Sequence, residues 1–176
     1  MIRCTRRLAI ALLVLLLPPG LAGQAPVDTT FYLHGDGGTN NPPTLFLDQV
    51  APEGSTAKFT DSTGINFAGG NAWKEVGTWT ADPAETVGTV VSVTDVHVWL
   101  GLKNSDDVGT RFDLRVEVVR NGSDLIGAGE LYCIQGLKRN QNQATEVVLD
   151  AAGVTPLTFD GASDVLSLTR AASLRR

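Results

Sequence analysis

From residue 29 onward, apolar and polar residues alternate with a period of two in short runs. The runs are Thr29 to Leu33, Thr44 to Asp48, Ala57 to Thr60, Trp73 to Thr80, Val87 to Leu102, Arg111 to Arg120, Leu125 to Ile134, Thr145 to Leu149 and Val165 to Thr169. A period of two sends successive side chains to opposite faces of an extended chain, so each run reads as a strand with one wet face. Asp-Gly, Gly-Gly, Asn-Pro-Pro, Asn-Gly and Asp-Pro stand between the runs, and these are turn residues. No later stretch sustains a helical period. Nine short strands punctuated in this way predict an all-β chain, an antiparallel β-sandwich of jelly-roll type.

The clearest alternation is DVHVWLGLKNSDDVGTRFDLRVEVV, Asp95 to Val119. Val96, Val98, Leu100 and Leu102 point one way, and Phe112, Leu114, Val116 and Val118 match them beyond the loop Lys103 to Gly109. This predicts a hairpin whose inner side is core. Its outer side then carries His97 and Trp99 on one strand and Asp113, Arg115 and Glu117 on the other. Asn121-Gly122 predicts a second hairpin immediately afterwards, because both positions of a tight primed turn need φ above zero. Asn121-Gly122-Ser123 also spells a glycosylation acceptor, but the turn accounts for these residues without it.

The first residues follow a different pattern. Arg3, Arg6 and Arg7 precede an apolar run from Leu8 to Leu17 that breaks at Pro18-Pro19-Gly20, the order of a secretory signal peptide. Ten apolar residues are too few for a membrane span, which needs roughly 20. The expected organisation is a cleaved signal helix over residues 1–25, cut after Ala22, Gly23 or Ala25. A single β-sandwich domain over 26–169 and a loose basic tail over 170–176 would follow. No later segment is long and apolar enough for a stable membrane anchor, so the mature chain is expected to be secreted or periplasmic.

Losing the three leader arginines leaves 11 basic residues against 19 acidic ones, a net charge of −8. An acidic body argues against nucleic acid, since neutralising phosphates takes clustered Lys and Arg. Cys4 falls in the leader, and Cys133 alternates with Glu130 and Tyr132 in a way that places it in the core as a small hydrophobe. At the other end, TRAASLRR, Thr169 to Arg176, abandons the apolar alternation of Val165 to Leu168. A segment that buries so little does not offset its ordering entropy, so a loose tail is expected, with an open sheet edge beside Val165 to Thr169 as a route to self-association.

The inventory for catalysis is thin. Asp113 and Glu117 sit four apart on a strand, roughly 13 Å between Cα atoms at about 3.3 Å per residue. Carboxylate pairs that hydrolyse sugars stand about 5 to 9.5 Å apart. The mature chain has only His34 and His97, and neither a G-x-S-x-G elbow nor a phosphate-binding glycine loop. HGDGGTNNPP, His34 to Pro43, reads as a tight surface loop. No cofactor is expected, with calcium as the one candidate: Asn104, Asp106 and Asp107 at the tip KNSDDVGT offer the oxygen ligands it takes. For binding, the lead is aromatic. Trp73, Trp79 and Trp99 are the three large rings. If the outer face is open, Trp99 beside His97 would stack on a sugar ring while Arg115 and Glu117 supply hydrogen bonds.

The Trp-bearing strand, the tip NSDD, the strand TRFDLRVEVV and the following NG and GAGEL together resemble bacterial exported jelly-roll modules, including those attached to hydrolases and peptidases. The resemblance spans about residues 87 to 134. It implies an accessory role and carries over no catalytic residue. The expected function is therefore that of a secreted, non-catalytic structural or binding module, with carbohydrate or another exported protein as partner. The alternatives are a carbohydrate-binding module, marked by exposed Trp73, Trp79 or Trp99 lined up on one face, and a small secreted hydrolase, marked by His34 or His97 beside an acid and a hydroxyl.

Overall fold

The computed structural model describes residues 14–17, 27–35, 44–51, 65, 67, 73–102, 108–140 and 143–175. The strands are β1 (Val14–Leu17), β2 (Val27–Thr29), β3 (Tyr32–Gly35), β4 (Leu45–Asp48), β5 (Lys74–Ala81), β6 (Val87–Val93), β7 (Asp95–Leu100), β8 (Arg111–Arg120), β9 (Asp124–Ile134), β10 (Thr145–Asp150), β11 (Leu157–Asp160) and β12 (Leu166–Arg175). No α-helix occurs among the described residues, and so none long and apolar enough to cross a membrane. The chain is all-β. The 3-10 turn Pro83–Glu85 is capped by Asp82, whose carboxylate accepts from the Ala84 amide.

One layer is a six-stranded sheet in the order β3-β4-β5-β12-β8-β9, antiparallel except for the parallel pair β4 and β5. Opposite it, β6 runs into β7 across Thr94 and pairs with β11, while β7 pairs with β10. These four strands form one long ribbon, interrupted at Thr94 and 151–156. The inward residues Val96, Val98, Val147 and Leu149 of the ribbon join Phe112, Leu114, Val116, Val118, Ile126 and Leu168 of the six-stranded sheet in a single buried core. Burial of these side chains drives the two layers together, at about 25 cal/mol per Å² of apolar surface.

The strands β4, β5, β8, β9 and β10 lie where the alternation places them, and Asn121 and Gly122 make the expected turn with φ of 53° and 71°. Both ends of the Asn121 amide are engaged, donating to Asp164 Oδ1 at 2.8 Å and accepting from the Val165 amide at 2.9 Å. The run Ala57 to Thr60 lies outside the described residues.

Four expectations are corrected. The hairpin across Lys103 to Gly109 does not form: β8 is held between β12 and β9, and β7 takes β10 as its partner. Alternation identifies the face of a strand, not its neighbour. Residues 170–175 are not a loose tail, because β12 continues to Arg175 at the centre of the sheet, Ala171 to Arg175 lying opposite Arg115 to Arg111 of β8. The edge expected beside Val165 to Thr169 is thus filled on both sides. Val14–Leu17, within the segment read as a leader, forms a strand between β6 and β2. An apolar segment satisfies its backbone groups as well on a free strand edge as in a helix.

Cys133 is half-buried rather than core. Phe112 pairs with Ile134 and Leu114 with Leu131, so Tyr132 and Cys133 together face Asp113 across a bulge. Cys133 takes a positive φ of 63°, its amide donates to Asp113 Oδ1 at 2.9 Å, and Ile134 occupies the core place instead.

The outer edge of β9 is covered by the connection from β10 to β11. The Thr155 amide donates to the Ile126 carbonyl at 3.0 Å, and a Cβ on Gly129 would strike the Asp150 carbonyl. The glycines of GAGEL are therefore a requirement of close backbone approach. Gly129→Ala is expected to lower unfolding free energy by about 1 to 3 kcal/mol, the usual range for overpacking. Urea titration tests this, and an unchanged midpoint would show that the 150–152 segment moves aside freely.

Candidate functional site

The outer face of the β7/β10 ribbon brings together a compact set of side chains. Because Val96 and Val98 turn inward, His97 and Trp99 must turn outward, and on β10 the inward Val147 and Leu149 leave Glu146 and Val148 outward. The register puts Glu146 opposite Trp99 and Val148 opposite His97. Diagonally across the ladder, His97 Nδ1 lies 2.7 Å from Glu146 Oε1. A carboxylate only accepts, so Nδ1 carries the proton, and the bond fixes the imidazole orientation. The His97 and Trp99 rings lie 6.3 Å apart at 28°. Trp99 is 56% exposed, the most exposed aromatic ring of the molecule's described part.

This arrangement has definite chemistry. An indole face in water offers an apolar platform, while the carboxylate of Glu146, held by the imidazole beside it, offers polar atoms at its rim. A flat ring with C–H groups on one face and hydroxyls around its edge matches both. Val148 adds apolar surface on the neighbouring strand.

Arg115 and Glu117 do not belong to this face. Val116 and Val118 point into the core, so Arg115 and Glu117 lie on the outer side of the six-stranded sheet, directed away from Trp99. There the Arg115 guanidinium sits 5.2 Å from the Trp73 ring centre, its Nε lies 3.5 Å from Glu117 Oε1, and Glu130 of β9 stands opposite. The expected four-residue site is thus split between two layers, for the same reason that the hairpin fails: β7 and β8 are in different sheets. Nor do the three tryptophans share a face. Trp79 is 1% exposed in the core, with the Arg170 guanidinium stacked 3.7 Å from its ring centre, and Trp73 is half-buried on the opposite outer surface.

His34 is placed by β3 and β4. It stacks on Phe46 at 5.3 Å, and its Nε2 lies 3.1 Å from Asp48 Oδ1 and 2.9 Å from the Val50 carbonyl. These contacts tie β3 to its neighbour. Asn104, Asp106 and Asp107, the calcium candidates, lie outside the described residues. Among those described, no group of three or more His, Cys, Asp or Glu is arranged to hold a metal. The acidic loop after β11 is engaged in its own turn: Asp160 accepts from the amides of Ala162, Ser163 and Asp164 and from the Ser163 hydroxyl, which holds its carboxyl well below the usual carboxylate range.

Glu146 and Val148 are the members of the site that the sequence does not announce. Their outward orientation follows from the alternation of TEVVLD, but their place beside Trp99 depends on a pairing with a distant strand. No protein-family model matches this chain, and comparison with the curated proteins and with the solved structures found no match.

Proposed function

We propose that the protein is an exported, non-catalytic β-sandwich binding module of the accessory type, and that it takes carbohydrate on the outer face of β7 and β10. The observation that carries this reading is the exposure of Trp99 beside the hydrogen-bonded His97 and Glu146. Tryptophan is enriched at interfaces, where its ring meets apolar surface and its edge stays wet, and Trp99 is exposed in that way beside a paired acid. The pairing of His97 with Glu146 fixes both side chains before a ligand arrives, which reduces the entropy lost on binding. Trp99 is the platform, Glu146 supplies hydrogen bonds to ring hydroxyls through its exposed carboxylate, and His97 holds that carboxylate in place. The leader-like order of residues 1–25 and the acidic composition of the chain support export and a neutral or basic ligand.

Pull-down on insoluble polysaccharides and affinity electrophoresis in soluble ones test the reading. Trp99→Ala is expected to weaken binding by about 2 kcal/mol or more, roughly 30-fold, the effect of truncating an anchoring tryptophan. Glu146→Gln is expected to weaken it less, and Trp73→Phe to leave it unchanged. Retention of Trp99→Ala equal to that of the parent protein would defeat the proposal, and retention of an exported protein in place of polysaccharide would assign the same face to a protein partner.

A further inference from the structure

We propose that strand β6 is the self-association edge of the mature protein: once the leader is removed, the place of β1 beside β6 is taken by β6 of a second copy. The inference rests on leader cleavage and not on the ligand of the Trp99 face. Strand β1 is the segment Val14–Leu17, upstream of the expected cut after residue 22, 23 or 25. It pairs antiparallel with β6, Val14 opposite Val93, Leu16 opposite Val90 and Leu17 opposite Thr89, and antiparallel with β2 on its other side. A chain cut downstream of β1 loses this cover and leaves one whole edge of β6 with unpaired amides and carbonyls, while β11 keeps the other edge.

The exposed sequence is VGTVVSV, Val87 to Val93. It has five β-branched residues and contains no lysine, no other charge and no proline, so it lacks the side chains that usually blunt an edge. The geometry of the occupant is fixed by β1, which shows that this edge is filled by an antiparallel strand. An identical strand fulfils that condition, because two antiparallel copies of β6 are related by a two-fold axis and the contact closes on itself. Self-pairing brings no like charges opposite one another, although the mature chain is acidic, since β6 itself is uncharged. The intramolecular competitor is β2, which loses its partner at the same cut. It is antiparallel to β1 and therefore runs parallel to β6, so covering β6 in the antiparallel sense requires it to reverse direction.

The test uses the exported product as the host secretes it, with its first residue read by mass spectrometry. Light scattering coupled to size exclusion, run across a wide concentration range, is expected to show the mass rising from one chain to two. Val91 neighbours the buried Val90 and by alternation points outward, so Val91→Lys is expected to hold the protein at one chain throughout without changing its melting temperature by more than a few degrees. A synthetic peptide of Leu8 to Leu17, with lysines added at its ends for solubility, is expected to convert the dimer to a one-to-one complex. A single chain at every concentration would overturn the proposal, whether because residues 14–17 are retained or because β2 has moved onto β6. So would a Val91→Lys protein that dimerises like its parent.

Discussion

Deleting residues 171–176 is expected to unfold the protein. The segment is the second half of β12, and Ala171 to Arg175 lie opposite five residues of β8 while Ala171 and Ala172 also lie opposite Glu75 and Lys74 of β5. Each ladder hydrogen bond contributes about 0.5 to 1.5 kcal/mol net, so removing the segment costs about 5 to 10 kcal/mol, the order of the whole stability of a domain. The gap would also open the sheet beside β8, exposing Phe112 and Leu114, which are 7% and 3% accessible. Circular dichroism and thermal melting measure the outcome. A cooperative transition close to that of the full chain would show that β12 ends functionally at Arg170.

The second large effect concerns Arg170 itself. It pairs with Val116 on the core side of β12, its guanidinium stacks on Trp79, and its Nε is enclosed with no hydrogen-bond partner among the described residues. Burial pushes its pKa down to about 9, which still leaves the group charged at neutral pH. The stacking contributes about 0.5 to 2 kcal/mol. The desolvation of an unpaired charge costs several kcal/mol and outweighs it. Arg170→Met keeps the length of the side chain and its contact with Trp79 while removing the charge. It is expected to stabilise the protein by about 1 to 4 kcal/mol, which at about 2 to 4 °C per kcal/mol raises the melting temperature by several degrees. A fall in melting temperature would mean that the charge is compensated in the folded state.

These two effects turn on the region that the sequence conceals best. The strand character of Leu166 to Leu168 is visible in its apolar residues, whereas Arg170 to Ser173 carries no alternation. A central strand is held by backbone bonds on both edges, and small residues serve there as well as large ones. The same distinction explains the rest. Val96, Val98, Val116 and Val118 declare which faces are buried, because burial is a property of each strand's own sequence. The partner of β7 is a property of two distant segments, and nothing local in DVHVWL marks TEVVLD as its neighbour. Hence Trp99 and His97 are legible as outward residues, Glu146 is not legible as their companion, and Arg115 and Glu117 are misplaced beside them. Cys133 fails for a third reason: a bulge adds one residue and reverses the alternation after Leu131. β11, four residues between Thr-Pro and Asp-Gly, is too short to rise above the turn signals that flank it.

Trp99 as the ligand platform is the centre of the account, and the indole N–H resonances of the three tryptophans test it in one spectrum. With the protein labelled at tryptophan nitrogen and titrated with soluble oligosaccharides of the polysaccharide that retains it, the Trp99 resonance is expected to shift progressively and saturate. Trp79, sealed in the core against Arg170, and Trp73, beneath Arg115 on the opposite surface, are expected to hold their positions. A Trp99 resonance that stays fixed while binding proceeds, or a shift confined to Trp73, would contradict the account and place the ligand elsewhere.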